Sequence, residues 1–595
     1  MKLLIRKNEK DLKEASFKFN SQQRHSSQET RGSFLLSPHY FDLWKDTLNE
    51  TCSNDLIRLT FIINMDDAQM VNSSQRAATP VSAAIAELNP NVRYKRDNIL
   101  LLAFYWGLKK ISYQQLSKKV LLEAFQRHEF HKRCIEIELT CDKKVLIMIR
   151  IGAVVLDSPA RSSFLDIMQW PNIYGCTRCT WKAKSVDYFD SKRQPKRKTC
   201  FTYEDDLVNN ISAYHRTDEI YPQADAAWKQ YLTDHSEPTG LQIVMRNSEA
   251  EFVHFKGIKS TPVMSNIIKN ISATCIIDPM HCIDERITKE LLDKLNLTRG
   301  QEVSKRVAKY LSQLRFPHDL ERNNRYLSDV GKWTASQFWT FQYYILPALR
   351  PIFSKHHPVL IDIFILACMI TFMVRSLDQV NLTVSDVVRS KKMVNGFLLC
   401  YQEVYGKESM KPNFHALLHI PAQAECFGPL SELSTYSFES LIGYLKSMKY
   451  GTHGYDEQMV KYFLQHITYQ AIFSPNEDTD GHNGFIHGEM LRSSIEMKKI
   501  PIQKRFLINI HLVKKFPLLE HYSSDIILSK IKTFGTARIK QHEVHSELSR
   551  GKNSSASQFI HYMPNELPTN ASHSNLDETN LRAFYGRVVC FHSAE

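Results

Sequence analysis

KVLIMIRIGAVVLDSPA, residues 144–160, joins a long aliphatic run to a polar, proline-bearing stop. Val, Ile and Leu dominate from Lys144 to Leu156, which predicts a β-strand. The strand runs straight into Asp157 and so leaves a carboxylate at its carboxyl end. The same arrangement stands upstream. LIRLTFIIN, residues 56–64, reads as a buried strand that stops at Met65-Asp66-Asp67, which puts Asp66 at a second strand end. CIEIELT (134–140) predicts another strand, and NILLLAFYWG (98–107) is an apolar run followed by helical spacing from Tyr113 to Arg127. Strands alternating with helices make the class α/β.

Working outward, the character changes after Ala160. Lys192 to Lys198, KRQPKRK, reads as a basic loop, and after Asp278 helical patterns dominate, over Ile287–Leu314, Trp333–Leu349 and Val359–Val374. The last of these contains Asp362 and is too short and interrupted to span a bilayer, so it predicts a buried helix and no membrane association. Helical segments continue to about Ser474, a polar loop covers Asn476–Gly484, Ser546–Glu578 is Ser/Asn/His-rich and reads as loosely ordered, and FYGRVVCF (584–591) predicts a terminal strand. The expected organisation is an N-terminal segment 1–54, a first core portion 55–159, a mostly helical insertion 160–429, a return to the core over 430–474, and a C-terminal module 475–595.

The chain of 595 residues is long enough for several domains. Its 76 Lys+Arg against 63 Asp+Glu give a net charge of +13, which suits a polyanionic partner such as nucleic acid but also a merely basic globular protein. The N-terminus, MKLLIRKNEKDLKEASFKFN, carries charges where a secretory signal needs an apolar core, which predicts a cytosolic or nuclear location. Twelve irregularly spaced cysteines do not read as a disulfide framework.

Three carboxylates that converge at one sheet edge repel one another unless cations are present, and this favours divalent metal. Two Mg²⁺ or Mn²⁺ ions held there support in-line phosphodiester chemistry. Asp66 and Asp157 are candidates, although each could equally cap or terminate a strand. Glu439 is the third: the apolar set Phe438, Leu441, Ile442 and Leu445 leaves Glu439, Gly443, Lys446 and Tyr450 on another helix face. Gly443 would remove bulk beside the carboxylate, and Lys446 and Lys449 would meet a phosphate backbone; a solvated Glu/Lys face fits the same periodicity. Cys176 and Cys179 have metal-ligand spacing, and His415 with His419 form an i, i+4 pair on one predicted helix face, so together they could make a structural Zn²⁺ site joining distant segments. Asp278 and His281 form a DxxH after the apolar run Cys275–Ile277, where His281 could orient water, contact phosphate or simply bond within a loop. Lys192, Arg193, Lys196, Arg197 and Lys198 could contact DNA, direct nuclear import or only be solvated.

The anchors INMDDAQMVNSS around Asp66, LDSPAR around Asp157, YGCTRC (174–179), HFKGIKS (254–260), IDPMHCI, PNFHALLHIP and FGPLSELSTYSFESLIGYLK stand in the order seen in one family. From about Leu56 to Gln465 the chain resembles the DDE transposases of the CACTA (En/Spm-like) group, and more distantly the V(D)J recombinase. The resemblance implies an RNase H-like mixed-sheet core interrupted by a large, mostly helical insertion, with additional helices and a small terminal β element. It implies Asp66, Asp157 and Glu439 as the Mg²⁺/Mn²⁺ triad, and Cys176, Cys179, His415 and His419 as zinc ligands. The activity implied is DNA strand cleavage and 3′-hydroxyl strand transfer at terminal inverted repeats, by a homo-oligomer on double-stranded DNA in the nucleus. Asp67 stands where the family has glycine, Thr79-Pro80 stands where it has tryptophan-proline, and an N-terminal CxxC/HxxxH finger is missing. The intact triad favours the enzyme; Asp67 and the missing finger favour the alternative, a catalytically inactive, domesticated DNA- or chromatin-binding protein that retains the scaffold.

Overall fold

The computed structural model describes residues 1–22, 33–48, 56–69, 77–140, 143–190, 192–234, 255–294, 302–313, 327–350, 358–448, 455–473, 489–495, 531–539, 542–545, 559–562, 584–587 and 591–594. The chain divides into two compact units, Met1–Ser474 and Pro475–Glu595. The first is a mixed α/β unit around one seven-stranded sheet.

Its strands are β1 Leu56–Met65, β2 Ala68–Gln69, β3 Ala77–Ile85, β4 Leu100–Gly107, β5 Ile135–Thr140, β6 Lys143–Leu156 and, far along the chain, β9 Cys275–Ile277. A separate two-stranded ribbon is made of β7 Lys184–Phe189 and β8 Pro195–Cys200. β1, β3 and β4 form an antiparallel meander, β6 lies parallel to β1, and β9 lies parallel to the end of β6. β5 pairs antiparallel with the first half of β6. All ten positions of β1 are buried. Ile57, Leu59, Phe61, Ile63 and Met65 alternate into the core on one face, while Leu56 and Ile62 join the core on the other. Two polar members of that second face are bonded within the core: Thr60 to Glu87, whose carboxylate also accepts from Tyr40, and Asn64 to the Val155 carbonyl. The β1–β6 register slips between Phe61 and Ile62, where Gly152 is the extra residue; a Cβ there would lie 2.3 Å from Thr60 Cγ2.

Nine helices matter to the site: α1 Pro38–Trp44, α2 Ser158–Phe164, α3 Met280–Ile287, α4 Pro358–Leu377, α5 Val384–Tyr405, α6 Pro412–Leu417, α7 Ile420–Phe427, α8 Tyr436–Ser447 and α9 Tyr455–Phe473. α4 and α5 pack in a second large core with Ile363, Ala367, Ile370, Val387, Val394 and Phe397. α8 covers one sheet face through Phe438, Leu441, Ile442 and Leu445. Each of those side chains gains roughly 1.5–3 kcal/mol from leaving water.

Several expectations need correction. β9 lies inside the span 160–429 and belongs to the core sheet, so that span is not a continuous insertion; a three-residue buried strand is too short to show a period. β3 contains Pro80 and small residues, which hid it from a propensity reading. The basic segment 192–198 is the turn and second strand of a hairpin rather than a loop. α4 is only half buried: Ile365 is 49% and Phe372 62% exposed. Among the described residues no helix is long and apolar enough to cross a membrane.

The second unit contains a four-stranded sheet, Glu489–Ile495, Ile531–Ile539, His542–His545 and Phe591–Ala594, and a pair, Phe559–Tyr562 with Phe584–Arg587. The predicted loop 476–484 lies outside the described residues, as does most of 546–578.

Candidate functional site

Each of the three parallel strands stops one residue before an aspartate: Met65 before Asp66, Leu156 before Asp157, Ile277 before Asp278. The register makes this significant. Ile63 pairs with Val154 and Leu156 with Ile277, so the three aspartates leave the sheet at one level. Asp157 is the N-cap of α2 and accepts from Ala160 N at 2.7 Å, which uses one carboxylate oxygen locally.

Glu439 joins them from the first turn of α8. Asp66 is half-buried, and its carboxyl is pushed up to about 9, first by burial, then by a hydrogen bond shared with Glu439 and by the negative charge of Glu439 and Asp157, with His281 opposing. The site is therefore short of positive charge, and oxygen ligands in this state suit a hard divalent cation.

His281 completes the constellation. Its Nδ1 lies 2.6 Å from Asp278 Oδ2 and its Nε2 4.0 Å from Glu439 Oε1. Burial alone would lower this imidazole, but the bond and charge of Asp278, followed by Glu285 and Glu439, raise it to about 9. An imidazolium thus faces the carboxylates near neutral pH. Asp278 itself is buried and is turned away from a metal role. It accepts from Met280 N and His281 N at the start of α3, and from Thr435 N at 3.1 Å and the Thr435 hydroxyl just before α8. Both helices start from one carboxylate.

Asp67 points elsewhere. It accepts from the Thr79 hydroxyl and pairs with Lys110 at 3.3 Å. Gly443 serves no protein neighbour, since a Cβ there would meet nothing within 4 Å. Lys446 is half-buried on α8, while Lys449 lies outside the described residues.

The second cluster is buried. Cys179 Sγ lies 3.2 Å from His415 Nε2, Cys176 Sγ 3.5 Å from His419 Nε2, and the two Nε2 atoms are 3.4 Å apart. All four ligand atoms fall within 4.8 Å of one another. A tetrahedral ion with bonds of ~2.3 Å to sulfur and ~2.0–2.1 Å to nitrogen sets S···N edges of about 3.5 Å and N···N edges of about 3.3 Å. The cluster has that shape and could bind zinc. Burial opposes ionisation of Cys176, yet the hydrogen bond from Cys179 and the neighbouring His415 and His419 take it well below the ordinary thiol range. Burial takes His419 down to about 4, leaving it neutral as a ligand must be. One expectation changes: His415 and His419 do not share a helix. α6 ends at Leu417, and Pro421 near the start of α7 cannot continue it, so His419 sits in the break.

Two anchors were not foreseen. Gln423, one turn after His419, bonds both Ile277 N (2.9 Å) and Ile277 O (3.0 Å), so a side-chain amide continues the sheet beyond β9. Glu432 pairs with the buried Arg93 at 2.7 Å and accepts from Phe34 N at 3.0 Å, which fixes the approach to α8. Neither sits in a local motif; only Thr435, a hydroxyl residue before an amphipathic run, carried a cap-like signal.

No protein-family model matches this chain, and no curated protein matches it.

Proposed function

We propose that this chain is a DDE-type transposase or transposase-derived protein with an RNase H-like core, which cuts DNA strands at terminal inverted repeats and transfers the freed 3′-hydroxyl. The observation that carries the reading is that Asp66 and Asp157 follow two adjacent parallel strands at one level of the sheet, and that Glu439, 282 (439 − 157) positions beyond Asp157, reaches Asp66 from the first turn of α8. The strand order β4-β3-β1-β6-β9, an antiparallel meander followed by two parallel strands, supports an RNase H-like core.

In this reading Asp66, Asp157 and Glu439 hold Mg²⁺ or Mn²⁺. What such ions supply is activation of water or a 3′-hydroxyl and stabilisation of the departing oxygen. His281, kept cationic by Asp278, directs a donor toward a phosphate oxygen beside Glu439. Cys176, Cys179, His415 and His419 hold Zn²⁺ and set where α8 lands. Double-stranded DNA is the partner, bound by a homo-oligomer in the nucleus.

Cleavage of a duplex ending in the cognate terminal repeat, with Mg²⁺ or Mn²⁺, tests this. Glu439→Gln is expected to lower the rate roughly 100-fold or more while leaving DNA binding in place. Equal cleavage by both proteins sinks the triad. Tight DNA binding without cleavage by the wild type favours the silent, scaffold-retaining alternative.

A further inference from the structure

The ribbon β7–β8 is a sheet of its own, and none of the carboxylate residues lies on it. Most of its positions are exposed, including every residue from Lys192 to Arg197. Between Lys184 and Cys200 it carries Lys184, Lys192, Arg193, Lys196, Arg197 and Lys198 against two acids. Both acids are engaged. Asp187 pairs with Arg197 at 2.7 Å, and Asp190 accepts from Lys192 N and Gln194 N to close the turn. Lys198 lies over the Tyr188 ring, 5.0 Å from its centroid. Lys192, Arg193 and Lys196 are left as the exposed cations of the tip.

The tip is also apolar on one side. Phe189, 74% exposed, pairs across the ribbon with exposed Pro195, so the two side chains share a face. The base is rigid: Ala183, just before β7, and Phe201, just after β8, are buried with Cys176 and Cys179, and Phe201 stacks on His415 at 4.4 Å. A stiff two-stranded ribbon with a cationic tip and a Phe–Pro wedge matches the chemistry of a duplex groove, where phosphates flank base steps that an apolar side chain can part.

We propose that this ribbon is a DNA arm: Lys192, Arg193 and Lys196 hold backbone phosphates, and the Phe189–Pro195 pair wedges into the minor groove and bends the duplex. This rests on the reading that double-stranded DNA is the partner.

The test uses the full chain and a mixed-sequence duplex of about 40 base pairs, fluorescent at both ends, with affinity measured across salt concentrations. The triple variant Lys192→Glu, Arg193→Glu, Lys196→Glu is expected to bind at least about tenfold more weakly, with a salt slope shallower by about 2–3. Phe189→Ser is expected to keep the wild-type slope and lose the end-to-end energy-transfer change that reports bending. All four positions are exposed, so thermal midpoints should match the wild type. A triple variant with wild-type slope, or Phe189→Ser with wild-type bending, overturns the arm while leaving the proposed function intact. A wild type that binds no duplex DNA overturns both. Tighter binding to single-stranded RNA than to the duplex, lost in Phe189→Ser, overturns the duplex assignment.

Discussion

Asp278 accepts hydrogen bonds from the starts of α3 and α8 and holds His281 toward Glu439. Buried and multiply bonded, it positions the site rather than binding metal. Asp278→Ala should lower unfolding stability by about 2–3 kcal/mol, read from urea titration, because Thr435 and His281 lose a charged buried acceptor. Asp66 and His281 also set a pH dependence. Asp66 titrates near 9 in the fold against roughly 4 in the unfolded chain, so its contribution is complete below about pH 4 and is lost as pH rises toward 9. His281, raised from about 6.5 to about 9, has the same sign over the upper part of that range. The metal-free protein should therefore lose stability between about pH 6.5 and 9, Mg²⁺ should blunt the loss, and Asp66→Asn should remove roughly half of it, leaving the His281 share. A flat thermal midpoint across that range would contradict the charge-starved site. At this scale the sequence was informative where a strongly apolar run ended in an acid, as at Asp66 and Asp157. Gln423 and Glu432 were hidden, and so was the partner of Thr435, because these pairings span 146, 339 and 157 residues and no local pattern encodes them.

Among the elements, α7 joins the two clusters. His419 stands at its start in the two-cysteine, two-histidine group, and Gln423 one turn later holds β9, whose next residue is Asp278. A chain of hydrogen bonds thus links the cysteine–histidine cluster to α8 through Gln423, Ile277, Asp278 and Thr435. Removing zinc with a chelator, or by Cys176→Ser, should cost about 4 kcal/mol where free zinc stood near 1,000 times its dissociation constant, seen as a lower unfolding midpoint with zinc measured by mass spectrometry. A wild type that purifies without zinc, at full stability, would contradict the clamp. The strands β1, β4, β5 and β6 and the helix α8 were legible from periodicity, being long and strongly apolar on at least one face. β9 showed only as the apolar run Cys275–Ile277 before Asp278, because three residues hold no period, and the break between α6 and α7 was misread because His415 and His419 keep helical spacing although the first helix ends at Leu417.

Over the whole molecule, a net charge of +13 and the cationic ribbon suit a polyanionic partner, and the mixed sheet gathers its aspartates at one edge. The α/β class followed from strand and helix alternation and the return of the Glu439 helix was expected, while the full extent of the core sheet did not follow, since its last strand lies inside the span read as an insertion. The central claim is that Asp66, with Asp157 and Glu439, holds divalent metal and that its neighbour Asp67 does not. Mn²⁺ uptake by the zinc-loaded protein on duplex DNA, followed by electron paramagnetic resonance near neutral pH, tests it most directly. Asp66→Asn and Glu439→Gln should weaken uptake by about tenfold or more, and Asp67→Asn should match the wild type; equal uptake by all four proteins, or a loss in Asp67→Asn as large as in Asp66→Asn, would contradict the account.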